Sequence, residues 1–202
     1  MADTNFYTFI FIGKSGCGKG TQAKLLTDYV KAIPNGEKEL LYIETGHRFR
    51  DFVQGTSYSS RLSREIMDKG NRQPDFLAAY MWSRVVTENF TGSESVILDG
   101  TPRSLNEARM LDTAMEFYKR ENIHVINIDV SGEWAIKRLS ERGRKDDMSV
   151  EEINKRLGWY DKDVQPAVDY YEQSPRYVFH KINGERSIEE IHQDIINRIW
   201  PK

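Results

Sequence analysis

Cysteine is almost missing from this sequence: Cys17 is the one cysteine in 202 residues, so no internal disulfide is available. That usage fits a reducing, cytoplasmic setting. Histidine is scarce too, and four scattered histidines with one cysteine make no zinc cluster at a recognised ligand spacing. Neither sign of charge dominates: 29 basic against 31 acidic residues give a formal net charge of -2, which argues against general nucleic-acid binding. Basic residues therefore matter locally and not as a field. Long hydrophobic runs are lacking as well. The strand-like run Phe6–Ile12 is too short to span a bilayer, and Asp3 rather than a basic segment precedes it. We expect neither a signal peptide nor a membrane segment. No repeat, low-complexity tract or long linker interrupts the chain, whose length suits a single α/β domain.

What is present alternates. Strand-like runs at Phe6–Ile12, Leu40–Glu44, Val96–Asp99, Ile123–Val130 and Tyr177–Ile182 are mostly apolar, as expected of parallel strands covered on both faces. Helical stretches separate them at about Lys19–Ala32, Arg48–Val53, Tyr58–Lys69, Pro74–Phe90, Leu105–Arg120, Glu133–Glu141, Val150–Tyr171 and Ile188–Ile199. Three helix starts carry a capping-box pattern, Ser104 with Glu107, Ser149 with Glu152 and Ser187 with Glu190. Pro34-Asn35-Gly36 marks a turn. The stretch 45–89 holds helices and no clear strand, so it reads as a subdomain inserted over the sheet. The expected fold is a doubly wound α/β sheet, which binds ligands at the carboxyl ends of its strands.

The first of those ends carries the sharpest motif. Gly13 to Gln22 read G-K-S-G-C-G-K-G-T-Q directly after the first strand and open the first helix, the context of a phosphate-binding P-loop. Gly13, Gly16, Gly18 and Gly20 let the backbone press its N–H groups against phosphate oxygens. Lys19 adds a mobile positive charge, and the helix presents its positive dipole end to the anion. Gly20 stands where the general motif has Ser or Thr, and Thr21 follows one place later.

Three further segments can face the same cleft: Glu44-Thr45-Gly46-His47-Arg48-Phe49-Arg50, Leu98-Asp99-Gly100-Thr101-Pro102-Arg103, and the arginines Arg138, Arg142, Arg144 and Arg156. Together with the P-loop they resemble the adenylate kinase family of nucleoside monophosphate kinases over essentially the whole chain. The G-x-x-G-x-G-K-G-T-Q and D-G-x-P-R motifs are jointly specific. The resemblance implies a P-loop NTPase fold with a five-stranded parallel sheet. Its core would be 1–44, 91–141 and 149–202, with an acceptor-binding insertion at 45–90 and a short lid at 142–148. It also implies phosphoryl transfer from ATP with Mg2+ to a nucleoside monophosphate, AMP first, by a cytoplasmic monomer with no nucleic-acid or membrane partner.

On that resemblance ATP would be held by Gly13, Ser15, Gly16, Cys17, Gly18, Lys19, Gly20 and Thr21 with Arg138 and Arg142. The acceptor would meet Thr45, Gly46, Arg50, Gln73, Gly100, Arg103, Glu107, Arg144 and Arg156. Lys19, Arg103, Arg142, Arg144 and Arg156 would carry the transfer, and Asp99 would hold Mg2+ through water. The chemistry fits such a set, because a loose phosphoryl transition state needs cations on its oxygens and exclusion of water rather than a strong base. Read by themselves, Arg138 and Arg142 equally suit pairing with Glu133 or Glu141. Asp146 and Asp147 match the family's lid hinge, or are a solvated acidic pair. Cys17 reads as a redox-sensitive thiol or as a small residue filling the loop.

The chain also departs from the family. Only Gly143-Arg144-Lys145 separate Arg142 from Asp146, a lid expected to exclude water less completely. Glu107 replaces a usual glutamine, and a carboxylate only accepts hydrogen bonds, which suits the donor edge of guanine as well as the amino group of adenine. Its other reading is to close the capping box of Ser104. His47, Gln73, Thr101 and Ser15 stand at usual aspartate, valine, phenylalanine and proline positions, while Thr45 is kept. The four tryptophans read as packing residues. The alternatives left open are another acceptor base or deoxynucleotide, and a sensor that binds nucleotides without turnover.

Overall fold

Strand β1 (Tyr7–Ile12) is buried from Thr8 onward, with Phe9 and Phe11 in one apolar cluster and Ile10 and Ile12 in the other. Alternating side chains that are apolar on both faces require helices on both faces, and the rest of the chain supplies them. The computed structural model describes residues 6–33, 39–142 and 149–201. With β2 (Leu40–Glu44), β3 (Ser95–Asp99), β4 (Asn122–Asp129) and β5 (Val178–Asn183), β1 forms a sheet of order β2-β3-β1-β4-β5, every neighbouring pair parallel. In chain order the helices are α1 (Lys19–Ala32), α2 (Thr45–Phe52), α3 (Tyr58–Asp68), α4 (Asp75–Asn89), α5 (Leu105–Phe117), α6 (Gly132–Arg142), α7 (Val150–Trp159), α8 (Gln165–Gln173) and α9 (Ile188–Ile199). Helices α1, α6 and α9 cover the Phe9 face; α4, α5 and α8 cover the Ile10 face. This is the doubly wound P-loop NTPase fold, and α2 to α4 all lie between β2 and β3. No helix among the described residues is long and apolar enough to cross a membrane.

Three differences from the sequence reading go beyond one or two residues at the end of an element. Helix α2 starts at Thr45, directly off β2, instead of at Arg48. Helix α5 stops at Phe117, not Arg120: Lys119 takes a positive φ of 52°, and Arg120 swings to the amino end of β1. There its Nε donates to Thr8 Oγ1 at 2.9 Å and its Nη2 to the Tyr7 carbonyl at 2.8 Å. The single helix expected over Val150–Tyr171 is split by a π-helical turn at Tyr160–Val164. Pro166 has no N–H to offer the ladder, and the Gln165 N–H reaches back five residues to the Tyr160 carbonyl. The capping boxes at Ser149 and Ser187 form in full. At Ser104 only half forms, because Glu107 turns its carboxylate elsewhere. The Pro34–Gly36 turn lies outside the described residues.

Adjacent strands β4 and β5 bring His124 and His180 together in the interior, Nδ1 to Nε2 at 2.9 Å with their rings parallel. Burial, with His180 alongside, pushes His124 down to about 4. A histidine that is neutral when folded and ordinary when unfolded contributes full stability above the unfolded pKa of about 6.5. That contribution is lost as pH falls from there toward 4. The shift corresponds to about 3 kcal/mol. Urea midpoints are therefore expected to fall between pH 6.5 and 4.5, and His124→Gln should flatten that part of the profile. An unchanged slope in the variant would count against the pair as its source.

Candidate active site

The P-loop folds around the lysine that follows it. Lys19 Nζ donates to the Gly13 carbonyl at 2.7 Å and the Lys14 carbonyl at 2.8 Å. That arrangement holds the ammonium over the loop before any anion arrives. Gly13 is indispensable in shape: its φ is 143°, and a Cβ there would sit 2.5 Å from the Ile128 carbonyl oxygen. Gly16 and Gly18 also take positive φ, whereas Gly20 is helical and serves a different end. A Cβ on Gly20 would lie 3.2 Å from Asp99 Oδ2, so the glycine keeps open the gap between the start of α1 and the end of β3. Cys17 is buried under the loop with its sulfur 3.5 Å from Lys19 Nζ, consistent with a packing place. Thr21 opens the exposed side of α1 one residue on.

Two arginines converge beside that loop. Arg103 Nε donates to the Gly100 carbonyl at 2.8 Å, and Arg50 Nη2 donates to Glu44 Oε1 at 2.7 Å. A Cβ on Gly46 would be 3.3 Å from Arg50 Nη1 and 3.4 Å from Arg103 Nη2, so both guanidiniums close on one glycine. Arg156 joins them from α7, its Nη2 3.4 Å from Ser15 Oγ in the P-loop. A cavity of about 60 Å³ is lined by Gly13, Ser15, Lys19, Arg103, Arg156 and a residue sequence reasoning did not mark, Arg72. Burial lowers the basicity of Arg103, and the Arg156 and Arg50 guanidiniums lower it further. Such a cluster of cations from four chain segments is best relieved by a multiply charged anion.

Asp99 lies among them, buried at the end of β3. Tyr42, also unmarked in the sequence, donates its hydroxyl to Asp99 Oδ2 at 3.0 Å from the next strand. Burial raises Asp99 above the usual carboxylate range, with Glu44 adding to the rise and Lys19 opposing it. A carboxyl whose folded pKa is raised costs stability at every pH above that value. Below the unfolded value the cost is gone. Asp99→Asn is therefore expected to melt at an equal or higher temperature at pH 7 while turnover collapses; a clear drop in melting temperature would refute this account. The open space over Gly20 and this single carboxylate suit Mg2+, which takes one or two carboxylates plus substrate phosphates and keeps its waters.

The remaining candidates are placed as follows. Thr45 is buried, and its hydroxyl oxygen has no protein partner. Gln73 is bound at both ends to Ser63: Nε2 donates to the Ser63 carbonyl at 2.8 Å, and Oε1 accepts from Ser63 Oγ at 2.9 Å. His47 is exposed and faces Asp51 at 3.6 Å. Arg138 is exposed on α6 with its guanidinium over the Trp134 ring, 5.8 Å from the centroid. Arg142 ends the same helix. Arg144, Asp146, Asp147 and all of the lid except Arg142 lie outside the described residues. Of the tryptophans, Trp82 is core and Trp200 packs on Tyr7, but Trp159 lines the P-loop cavity with Tyr160. Arg72 is anchored to Asp75 at 2.6 Å and to Asp163 at 3.4 Å, tying the start of α4 to the π-helical turn. No signal within the sequence singled it out.

Comparison with known proteins places these residues in a family setting. Residues 11–176 match the family model described as adenylate kinase. An adenylate kinase of Flavobacterium psychrophilum is 32% identical over 197 residues, covering 94% of this chain and 98% of its own. Adenylate kinase 1 of Nostoc sp. is 32% identical over 186 residues, covering 92% and 95%. An adenylate kinase of Corynebacterium urealyticum is 33% identical over 184 residues, covering 91% and 94%.

Proposed function

The chain belongs to the adenylate kinase family and is a phosphotransferase that uses ATP, and from that premise we propose that it converts ATP and AMP into two ADP. The observation that carries the reading is the convergence of Lys19, Arg50, Arg103 and Arg156 on one cleft at the carboxyl ends of β1 and β3. In this reading the P-loop amides and Lys19 hold the donor phosphates. Arg50 and Arg103 grip the acceptor's phosphate over Gly46, where a bidentate guanidinium fixes direction as well as charge. Arg156, beside Ser15, lies between the two phosphate sites and takes up charge on the transferring group. Arg138 and Arg142 would meet the donor's phosphates from α6, with Arg144 completing the set. Asp99 is the residue that would hold Mg2+, through water, and the ion when bound would supply further neutralisation of phosphate charge. The protein's own task is alignment and exclusion of water, which brings the attacking oxygen into line with the phosphorus.

The acceptor insertion is 45–90 and the lid 142–148, in a cytoplasmic monomer without nucleic-acid partners. AMP ranks first because Thr45, at the start of the acceptor segment, keeps its buried, unpartnered hydroxyl. A coupled assay of ATP·Mg2+ against AMP, GMP, CMP, UMP and their deoxy forms tests the proposal. Dominant turnover of AMP is the expected result. Preference for another base would reassign the acceptor, and no turnover with any would leave a nucleotide-binding sensor.

A further inference from the structure

Glu107 has no exposed surface. Its Oε1 accepts from Thr101 Oγ1 at 2.5 Å and its Oε2 from the Arg103 backbone N–H at 2.6 Å. Thr101 is itself fully buried. One carboxylate, at the third residue of α5, thus spans the loop that presents the Arg103 guanidinium. Ser104 ties the same loop to the acceptor insertion, donating from Oγ to Asp75 Oδ1 at 2.8 Å. A base-reading carboxylate must face the ligand; this one has no exposed surface, and each of its oxygens already accepts a hydrogen bond from the protein. Gln73, the other unusual polar residue of the acceptor segment, is likewise held at both ends of its amide by Ser63.

We propose that Glu107 is a positioning residue: through the Thr101 hydroxyl and the Arg103 amide it fixes the loop that aims Arg103 at the acceptor's phosphate, and it does not read the acceptor's base. This rests on the acceptor-site reading above. Its consequence is specific to this chain. The carboxylate governs every nucleoside monophosphate equally, so the preference among bases is set elsewhere.

The discriminating pair is Glu107→Gln and Glu107→Ala. A glutamine can still accept from the Arg103 N–H and donate to Thr101 Oγ1, so the loop is kept. It should retain activity within about fivefold with the AMP-to-GMP ratio unchanged, since the two pinning bonds survive. The alanine variant frees the loop and should lower kcat/KM for all acceptors roughly 10- to 100-fold, the effect of a small misplacement of a positioned group. That loss should fall on the acceptor, with KM for ATP unchanged and the order of bases preserved. If the alanine variant does not fold, Thr101→Val against Thr101→Ser reads the same contact: the serine should keep acceptor kinetics and the valine should lose them.

A shift of the AMP-to-GMP ratio beyond tenfold in Glu107→Gln would overturn the inference, as would unaltered acceptor kinetics in both Glu107→Ala and Thr101→Val. AMP and GMP binding by titration calorimetry, run on the same proteins, separates the two failures. Unmodified protein that binds both nucleotides without turnover defeats the proposed reaction. The inference then stands or falls on whether Glu107→Ala weakens both ligands by the same factor.

Discussion

Arg103→Ala is expected to cut turnover by about 10³-fold or more, the scale on which one arginine acts in phosphoryl transfer. The size follows from its surroundings. Arg103 is held by the Gly100 carbonyl and by the pinned loop behind it, and its Nη2 meets Arg50 over Gly46. Arg50 remains in the variant, so some affinity for the acceptor's phosphate survives while its alignment does not. The loss should appear in kcat and in KM for the acceptor, with KM for ATP nearly constant. Arg103→Lys sharpens the test, because it keeps the charge but not the two-pronged grip. It should recover less than a tenth of the lost rate by that argument. Recovery of most of the activity by lysine would mean that charge alone matters at this position. The half-buried, mutually repelling cluster also predicts that the alanine variant is no less stable than the parent, since removing one of several like charges relieves the others.

Lys19→Met should be nearly as damaging, about 10²- to 10³-fold in kcat, as when one preorganised donor is removed from a site of developing charge. Methionine keeps the length of the side chain and deletes the ammonium. Here the consequences differ from those at Arg103. In the free protein Lys19 Nζ satisfies the Gly13 and Lys14 carbonyls, so the variant loses those two bonds as well as the phosphate contact. The loop should bind ATP more weakly, and KM for ATP should rise while KM for the acceptor stays. A variant that shows the opposite pattern, with the acceptor affected and ATP untouched, would exchange the donor and acceptor assignments of the two sides of the cleft.

Much of this was legible in the residues themselves. The strands announce themselves by apolar runs, and β2 and helices α1 and α9 begin and end where the pattern places them. The P-loop and the D-G-x-P-R segment are contiguous, so local spacing alone brings their glycines and cations together. Pro166, in the first turn of the new helix, does signal a break near Tyr160, but the π-helical form of that break was not legible. Arg72, Tyr42 and Trp159 were missed for another reason: each enters the cleft from a segment with no motif of its own.

By itself, then, the sequence determined the alternation of strands and helices, the phosphate loop and the cationic character of the cleft. All three are properties of short stretches, where backbone freedom and charge are local quantities. Only the tertiary structure decided what the polar groups do with one another. The parallel register sets Glu44 opposite Asp99, which brings Tyr42 on the same strand within reach of the carboxylate, and lays His180 beside His124. Burial then favours pairing, since an unpaired polar group keeps its full desolvation cost, although the buried Thr45 hydroxyl stays without a protein partner. Glu107 illustrates the difference. Spacing from Ser104 makes it a helix cap, and resemblance makes it a base reader. The fold, having removed it from water, left it two donors in reach, and those two bonds settle where its carboxylate lies.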